Sequence, residues 1–221
     1  MSIPDILKNK INNIRAEIKR LDSTLESVTM ATPAEDSERY MKLSLDAAQR
    51  GEVIACRLRD LVFLGASPEK RDNYLAAAAQ LQGIDIRYRD GILEVSLPCL
   101  LPKKRRSNCE FVLDPLHTAL LRYRDAHRFD PFRQCVVCCV HVYDRALPAR
   151  RVRDYDNLEQ KKFLDCLAMY AMADDTGRLC ESFNMTEFGD ADRTIFYLME
   201  CSRFPEWYIE RKEKLTEIGD V

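Results

Sequence analysis

Apolar residues in the N-terminal stretch recur at alternating intervals of four and three, and this heptad spacing constrains the fold more than any other feature of the sequence. It is typical of the seam of a coiled coil over three heptads. The pattern is interrupted at 29–33 and resumes at 35–64, and a short linker that contains proline favours two antiparallel neighbouring helices. Pairing with a second chain stays open as an alternative. The seam residues are Leu7, Ile11, Ile14, Ile18, Leu21, Leu25 and Val28.

Beyond this region the sequence alternates between strand and helix patterns. Asp90-Gly91 separates two short alternating segments, which is a strong signal for a β-hairpin. We predict an α+β protein with a helical hairpin or coiled-coil module at 1–66. A small mixed β-sheet domain with helices follows at 67–221 and ends in a short helix. The predicted strands lie at 84–88, 92–97, 134–143, 179–186 and 193–201, and the predicted helices at 67–81, 113–128, 158–173 and from Phe204 onward.

Composition indicates an ordinary globular protein that does not cross a membrane. No apolar run approaches the roughly 20 residues that a membrane span needs, and no secretory signal is visible. The nine cysteines are odd in number and scattered, which does not suggest a disulfide framework. Thiols of this kind fit a reducing compartment, so we expect a cytoplasmic protein.

The distribution of charge is more informative than the net charge of −2. The segment 98–162 carries 14 basic and 8 acidic residues, whereas 1–97 carries 14 and 15 and the acidic end of the chain, 163–221, carries 6 and 13. A loop in this basic segment holds the run Lys103, Lys104, Arg105 and Arg106. Such a run is often a solvated face, but it also suits contact with phosphate groups, which would give affinity rather than sequence selectivity.

The segment 150–158 is the strongest candidate for a functional site. It reads Arg-Arg-Val-Arg-Asp-Tyr-Asp-Asn-Leu, and a helical pattern leads from it to Asp174 and Asp175. In an extended backbone Asp154 and Asp156 point to the same side and could share one ion. Carboxylates next to arginines suit a hard cation such as Mg²⁺ beside a phosphodiester. The simpler interpretation is helix capping, because Asp156 with Glu159 has the spacing of a capping box.

This segment resembles the signature of the RusA-type Holliday-junction resolvases. The matching residues are Arg153, Asp154, Asp156, Asn157 and Leu158, followed by a helix and two aspartates, and the resemblance covers about 92–200. It implies a RusA-like fold and a homodimeric, Mg²⁺-dependent endonuclease, with Mn²⁺ as a possible substitute, that cuts branched DNA such as four-way junctions. It also implies that Asp154, Asp156 and Asp175 bind the ion.

One position departs from that pattern. The lysine that the family carries after Asp-Asn-Leu falls on Gln160, and a neutral amide cannot replace a cation near a scissile phosphate. Lys161, Arg151 or Arg153 would then supply the charge, and we include Lys161 among the catalytic candidates. The alternative is a RusA-like protein with weakened or lost catalysis that acts as a DNA-binding or assembly module. The predicted DNA contacts are Lys103, Lys104, Arg105, Arg106, Arg150, Arg151 and Arg153.

Overall fold

The structure is a computed structural model that describes residues 3–31, 37–104, 109–127 and 129–218, without the side chains of Ile3, Arg150, Glu217 and Ile218. It divides into two compact units, Met1–Asn73 and Tyr74–Val221. Within the described ranges, no helix is both long enough and apolar enough to cross a membrane.

The first unit is an antiparallel pair of long helices. Helix α1 spans Ile3–Thr29 and helix α2 spans Ser37–Gly65, and helix α3, Pro68–Gln82, begins in this unit. Lys10 pairs with Asp60, while Thr24 bonds to Asp46 near the other end of the pair. The N-terminal part of α1 therefore lies beside the C-terminal part of α2. This is the antiparallel hairpin that the heptad pattern predicts.

A buried ion pair holds the middle of this hairpin. Glu17 is only 8% exposed and accepts a hydrogen bond from the guanidinium of Arg50 at 2.6 Å. Arg20 and Arg57 approach the same carboxylate at 3.3 and 3.6 Å. The desolvation that a buried carboxylate suffers is offset only when it is paired in this way, so the network fixes the register of the two helices.

The second unit is built on a five-stranded mixed sheet. The strands are β1 Asp85–Arg89, β2 Ile92–Leu97, β3 Cys135–Asp144, β4 Cys180–Gly189 and β5 Arg193–Glu200, in the order β1-β2-β5-β3-β4. Only the pair β3–β4 is parallel, and the other neighbours are antiparallel. The turn between β1 and β2 has positive φ at Asp90 (51°) and Gly91 (77°), as a tight hairpin turn requires. The α+β class is thus confirmed.

Helices cover both faces of this sheet. Helices α4, Glu110–His127, and α5, Lys161–Ala171, pack on one face, where Leu116, Phe163 and Leu167 contact the core side chains of β2, β3 and β5. Helix α6, Phe204–Ile218, covers the other face with Trp207. Strand β3 lies between two layers and is buried along nearly its whole length, which explains its continuous apolar run.

Helix α5 begins later than the sequence predicts. The segment Tyr155–Asn157 is a single turn of 3₁₀ helix, and the α-helix starts at Lys161 with Gln160 as its N-cap. The predicted capping box at Asp156 is therefore wrong. Instead of taking part in a helix cap, the N–H of Glu159 donates to the carbonyl of Pro102 at 2.8 Å. This hydrogen bond ties the segment to the loop before α4.

Candidate functional site

A cavity of about 450 Å³ lies beside the edge strand β4, at the end of α5 where the helix begins. Strand β4 is an edge strand of the described sheet, with β3 as its neighbour, and its residues line part of the cavity. The volume falls within the roughly 300–1,000 Å³ that is typical of small-molecule sites. This cavity is the best-formed candidate site in the described part of the second unit.

Three segments other than α5 and the loop before α4 supply polar side chains to the cavity. The 3₁₀ turn contributes Tyr155 and Asp156, and buried Leu158 anchors that turn through a bridge to Lys103. The loop after α5 contributes Asp175. The third segment is β4 itself, whose alternate residues Cys180, Ser182 and Asn184 face the same side because side chains alternate along a strand.

The cavity contains both signs of charge, with carboxylates in excess. Asp156, Asp165 and Asp175 line it together with Lys104 and Lys161. The ammonium of Lys161 lies 3.0 Å from both carboxylate oxygens of Asp165. Hydrogen bonding and attraction to Asp165, with a smaller contribution from Asp175, raise the pKa of Lys161. Because Lys161 is paired with Asp165, Lys104 is the one other cation among the described residues that line the cavity with Asp156 and Asp175.

A hydrogen-bonded network lies behind the polar wall. Gln160 Nε2 donates to Asn184 Oδ1 at 2.7 Å, and both side chains line the cavity. Nε2 of His141 lies 3.3 Å from the same oxygen and 3.4 Å from Gln160 Nε2. His141 is fully buried, and its ring stacks on Tyr155 with centroids 5.3 Å apart.

Burial decides the charge of His141. Desolvation lowers the pKa of His141, and the hydrogen bond to Asn184 opposes this only in part. The imidazole is therefore neutral at neutral pH. With its proton on Nε2 it donates to Asn184 Oδ1, and Nδ1 is a buried lone pair that has no hydrogen-bond partner among the described residues. Uncharged groups thus hold the side chains of Gln160 and Asn184 in place in the cavity wall.

The structure brings two of the three predicted metal ligands to this cavity. Asp156 and Asp175 line it, whereas Asp154 is exposed, precedes the 3₁₀ turn and is not among the lining residues. A 3₁₀ turn advances about 120° per residue, so Asp154 and Asp156 lose the common direction that an extended backbone would give them. In the described chain, no group of three or more His, Cys, Asp and Glu side chains could hold a metal ion.

The predicted DNA-contacting residues are divided between several environments. Lys103 and Lys104 are exposed, and Lys104 lines the cavity. Arg151 forms an ion pair with Asp192. Arg153 donates from its side chain to the carbonyl of Leu101 at 3.4 Å. Arg105, Arg106 and the side chain of Arg150 lie outside the described residues.

Arg151 and Arg153 therefore have structural partners. The N–H of Arg153 also donates to the hydroxyl of Tyr143 at 3.1 Å, at the end of β3. These contacts fasten the segment before the 3₁₀ turn to the sheet and thereby position Asp156. Sequence reasoning missed Ser182 and Asn184, whose signal was the alternation of side chains along β4 on the α5 face.

Comparisons with known proteins give few neighbours. No curated protein matches the chain. One similar solved structure is a putative MotB-like protein from Desulfovibrio vulgaris, at 14% identity and a TM-score of 0.30 over 58% of this chain and 90% of that one. Another is the periplasmic domain of Helicobacter pylori MotB, at 11% identity and a TM-score of 0.32 over 60% and 89%. Similarity this weak carries no argument about fold or function.

The predicted membership in the RusA-type resolvases is wrong. The family model that matches almost the whole chain is not that of a resolvase. The predicted Holliday-junction endonuclease is therefore wrong as well. The alternative of an inactive RusA-like module is wrong for the same reason. The short motif that suggested the family has a local explanation, since it forms a 3₁₀ turn followed by the buried Leu158.

The matching family model spans residues 4–221. It thus covers both helices of the hairpin and the whole of the sheet unit. The chain belongs to DUF6100, a family of unknown function.

Proposed function

We propose that the second unit is a binding domain that takes a small polar ligand together with a divalent cation such as Mg²⁺ in the cavity beside β4. The observation that carries this proposal is the placement of Asp156 and Asp175, from two separate segments, in one cavity with Lys104 and a polar wall.

The chemistry of the donor set fits Mg²⁺. This ion prefers oxygen ligands, keeps several waters, and is often held by one or two carboxylates rather than by a complete protein cage. Asp156 and Asp175 would be the two carboxylates, and the oxygens of Ser182 and Asn184 lie in the same cavity. The pairing of Lys161 with Asp165 reduces the repulsion between that ammonium and the ion.

The ligand that fits beside such an ion carries an anionic group. Carboxylate and phosphate groups complete the coordination of Mg²⁺, and Lys104 adds a cation to the lining of the cavity. The Gln160–Asn184 pair presents amide groups that can bond to the polar remainder of the ligand. Binding is the activity proposed here, and no bond-breaking step is assigned to these residues.

Mn²⁺ binding tests the cation directly, because Mn²⁺ prefers the same oxygen ligands and is visible by electron paramagnetic resonance. We expect the full chain to bind Mn²⁺, and Asp156→Asn and Asp175→Asn each to weaken binding by about tenfold or more, as the loss of one of two charged ligands implies. Mg²⁺ should compete. If both variants bind Mn²⁺ as the parent does, the proposal is wrong.

Two neighbouring aspartates provide matched controls. Asp174→Asn makes the same change of charge one residue before Asp175, at a carboxylate that accepts the N–H of Thr176 at 3.2 Å. Asp154→Asn removes the third carboxylate that the sequence suggested. We expect both variants to retain Mn²⁺ binding, since neither side chain lines the cavity. Equal losses in all four variants would indicate a nonspecific effect of surface charge.

We also propose that the chain forms a homodimer and works in a reducing compartment such as the cytoplasm. All nine cysteines lie in the described ranges and none forms a disulfide. Burial raises the pKa of Cys135, Cys138 and Cys166 to about 12, which keeps these thiols protonated and slow to oxidise. Both points support a protein adapted to reduced thiols.

A further inference from the structure

The first unit exposes a row of large apolar side chains. We call Leu7, Ile18 and Leu25 of α1, with Leu58 of α2, the apolar stripe. Their side chains are between 41% and 48% exposed. Leu7, Ile18 and Leu25 are separated by 11 and 7 residues, which are close to whole numbers of helical turns, so they point in one direction. Three of the seven seam residues of α1 are thus exposed, and Ile14 is the one seam residue that is fully buried.

The apolar stripe lies on one side of the hairpin, opposite the ion-pair network. Ile18 and Leu25 each follow a network residue of α1, Glu17 and Thr24. Leu58 likewise follows Arg57, whose guanidinium approaches Glu17. Successive residues of a helix are rotated by about 100° around its axis. In an antiparallel pair, a step of one residue from the contact line leads to the same side of the pair on both helices. All four side chains therefore share a single surface.

The position of Leu58 makes this surface continuous. Lys10 pairs with Asp60, and the guanidinium of Arg57 donates to the carbonyl of Asn13, so Leu58 lies level with the stretch between these two contacts. That level falls between Leu7 and Ile18 along α1. The apolar stripe therefore has no gap of more than about two helical turns.

The charges beside the stripe identify its partner. Each residue that follows a seam residue of α1 lies on the outer flank of the stripe. Along the helix these are Lys8, Asn12, Arg15, Lys19, Asp22, Glu26 and Thr29, all exposed. The first half of the flank is basic and the second half is acidic. Such a flank complements a reversed copy of itself, because reversal sets the basic half of one copy against the acidic half of the other.

We propose that two copies of this chain associate through the apolar stripe, with α1 of one copy antiparallel to α1 of the other. The arrangement is a two-fold symmetric contact in which the same surface serves both partners. It buries Leu7, Ile18, Leu25 and Leu58 and sets Lys8 of each copy towards the acidic half of its partner's α1. The inference rests on the proposed homodimer and names its surface and orientation.

Sedimentation velocity and light scattering on the full chain test the surface. We expect a dimer, and we expect Ile18→Glu and Leu25→Glu to weaken association by at least about tenfold while circular dichroism stays unchanged. Leu45→Glu is the matched control, because Leu45 is 50% exposed and therefore resembles the stripe residues in exposure. It lies about 200° around α2 from the buried Ala47, which places it outside the apolar stripe. A dimer that both stripe variants leave intact overturns the named surface. A monomeric parent chain overturns the homodimer as well.

Charge reversal tests the orientation. Lys8→Glu and Glu26→Lys should each weaken the dimer at low ionic strength, because each places like charges across an antiparallel contact. The double variant Lys8→Glu/Glu26→Lys should recover most of the lost affinity. Single variants without effect, or a double variant no better than either single one, would overturn the antiparallel arrangement.

Discussion

Gln160 at the start of α5 and Asn184 in the edge strand β4 are joined by a hydrogen bond of 2.7 Å. Because Gln160 is the N-cap residue of α5, this bond fixes the beginning of the helix against the edge of the sheet and forms part of the cavity wall. A lysine at this position would place a charge against the neutral His141, so the amide suits the network that surrounds it.

Replacing Gln160 should therefore destabilise the fold. Gln160→Ala removes the donor to Asn184 Oδ1, and we expect the free energy of unfolding to fall by about 1–2 kcal/mol. Urea unfolding measures the change. Lys161→Gln is the control, since its ion pair with Asp165 is exposed to solvent and should contribute little to stability. Equal effects of the two substitutions would contradict the structural role of Gln160.

Stability should fall in mild acid because of His141. Burial lowers its folded pKa, so the unfolded chain takes up a proton more readily than the folded one. The contribution of this residue is fully present above the unfolded pKa of about 6.5, and it is lost progressively as the pH falls from there through the lower folded pKa, with a slope of up to about 1.4 kcal/mol per pH unit. His117 should change the stability in the same direction. Burial lowers its pKa as well, although the negative charge of Asp114 acts to raise it.

Urea unfolding between pH 7.5 and pH 5 tests this expectation. His141→Gln should flatten the pH dependence. A parent protein whose stability is constant over this range would contradict the linkage between His141 and folding.

Glu187 and Arg211 should contribute strongly to the docking of α6. The guanidinium of Arg211 donates to both carboxylate oxygens of Glu187, at 2.6 and 2.8 Å, and to the hydroxyl of Tyr197 at 3.1 Å. Glu187 is only 8% exposed. Glu187→Gln leaves a buried cation without its charge partner, and we expect a loss of about 3 kcal/mol in thermal or urea unfolding.

Glu213→Gln on the same helix is the control for α6. This position is exposed, so the change should stay within about 0.5 kcal/mol. If Glu187→Gln is as mild as the control, the bidentate pair does not hold α6 to the sheet.

Gly189 should not tolerate a side chain. A Cβ at this position would lie 2.7 Å from Cγ1 of Val142, which is buried in the neighbouring strand and cannot move away. Gly189→Ala should therefore cost about 1–3 kcal/mol through overpacking. A Cβ at Gly177 would meet nothing within 4 Å, so Gly177→Ala is the control. Comparable melting temperatures for the two variants would refute the predicted clash.

Local signals predicted much of the architecture. The heptad spacing gave the helical pair, and Asp90-Gly91 gave the β1–β2 hairpin, because a tight turn needs residues that accept positive φ. The start of α5 was misplaced, since the bond from Glu159 to Pro102 depends on a loop more than fifty residues earlier in the chain. No local pattern contains such a contact.

The candidate site was only partly predictable for the same reason. Asp156 and Asp175 could be chosen from the sequence as carboxylates near a helix. Ser182 and Asn184 reach the cavity only because β4 pairs with β3 in parallel, with Cys139 opposite Asn184, and that register is a property of the assembled sheet. The family assignment failed because a short motif that also forms a tight turn has many unrelated occurrences.

The parallel pairing of β3 and β4 also has a kinetic meaning. Hairpin-linked strands meet soon after collapse, but β4 can join β3 only after the intervening crossover, including α5, has formed and closed its long loop. Joining β4 to β3 is therefore slower than closing the β1–β2 hairpin. A chain halted before that step would lack the edge strand that lines the cavity.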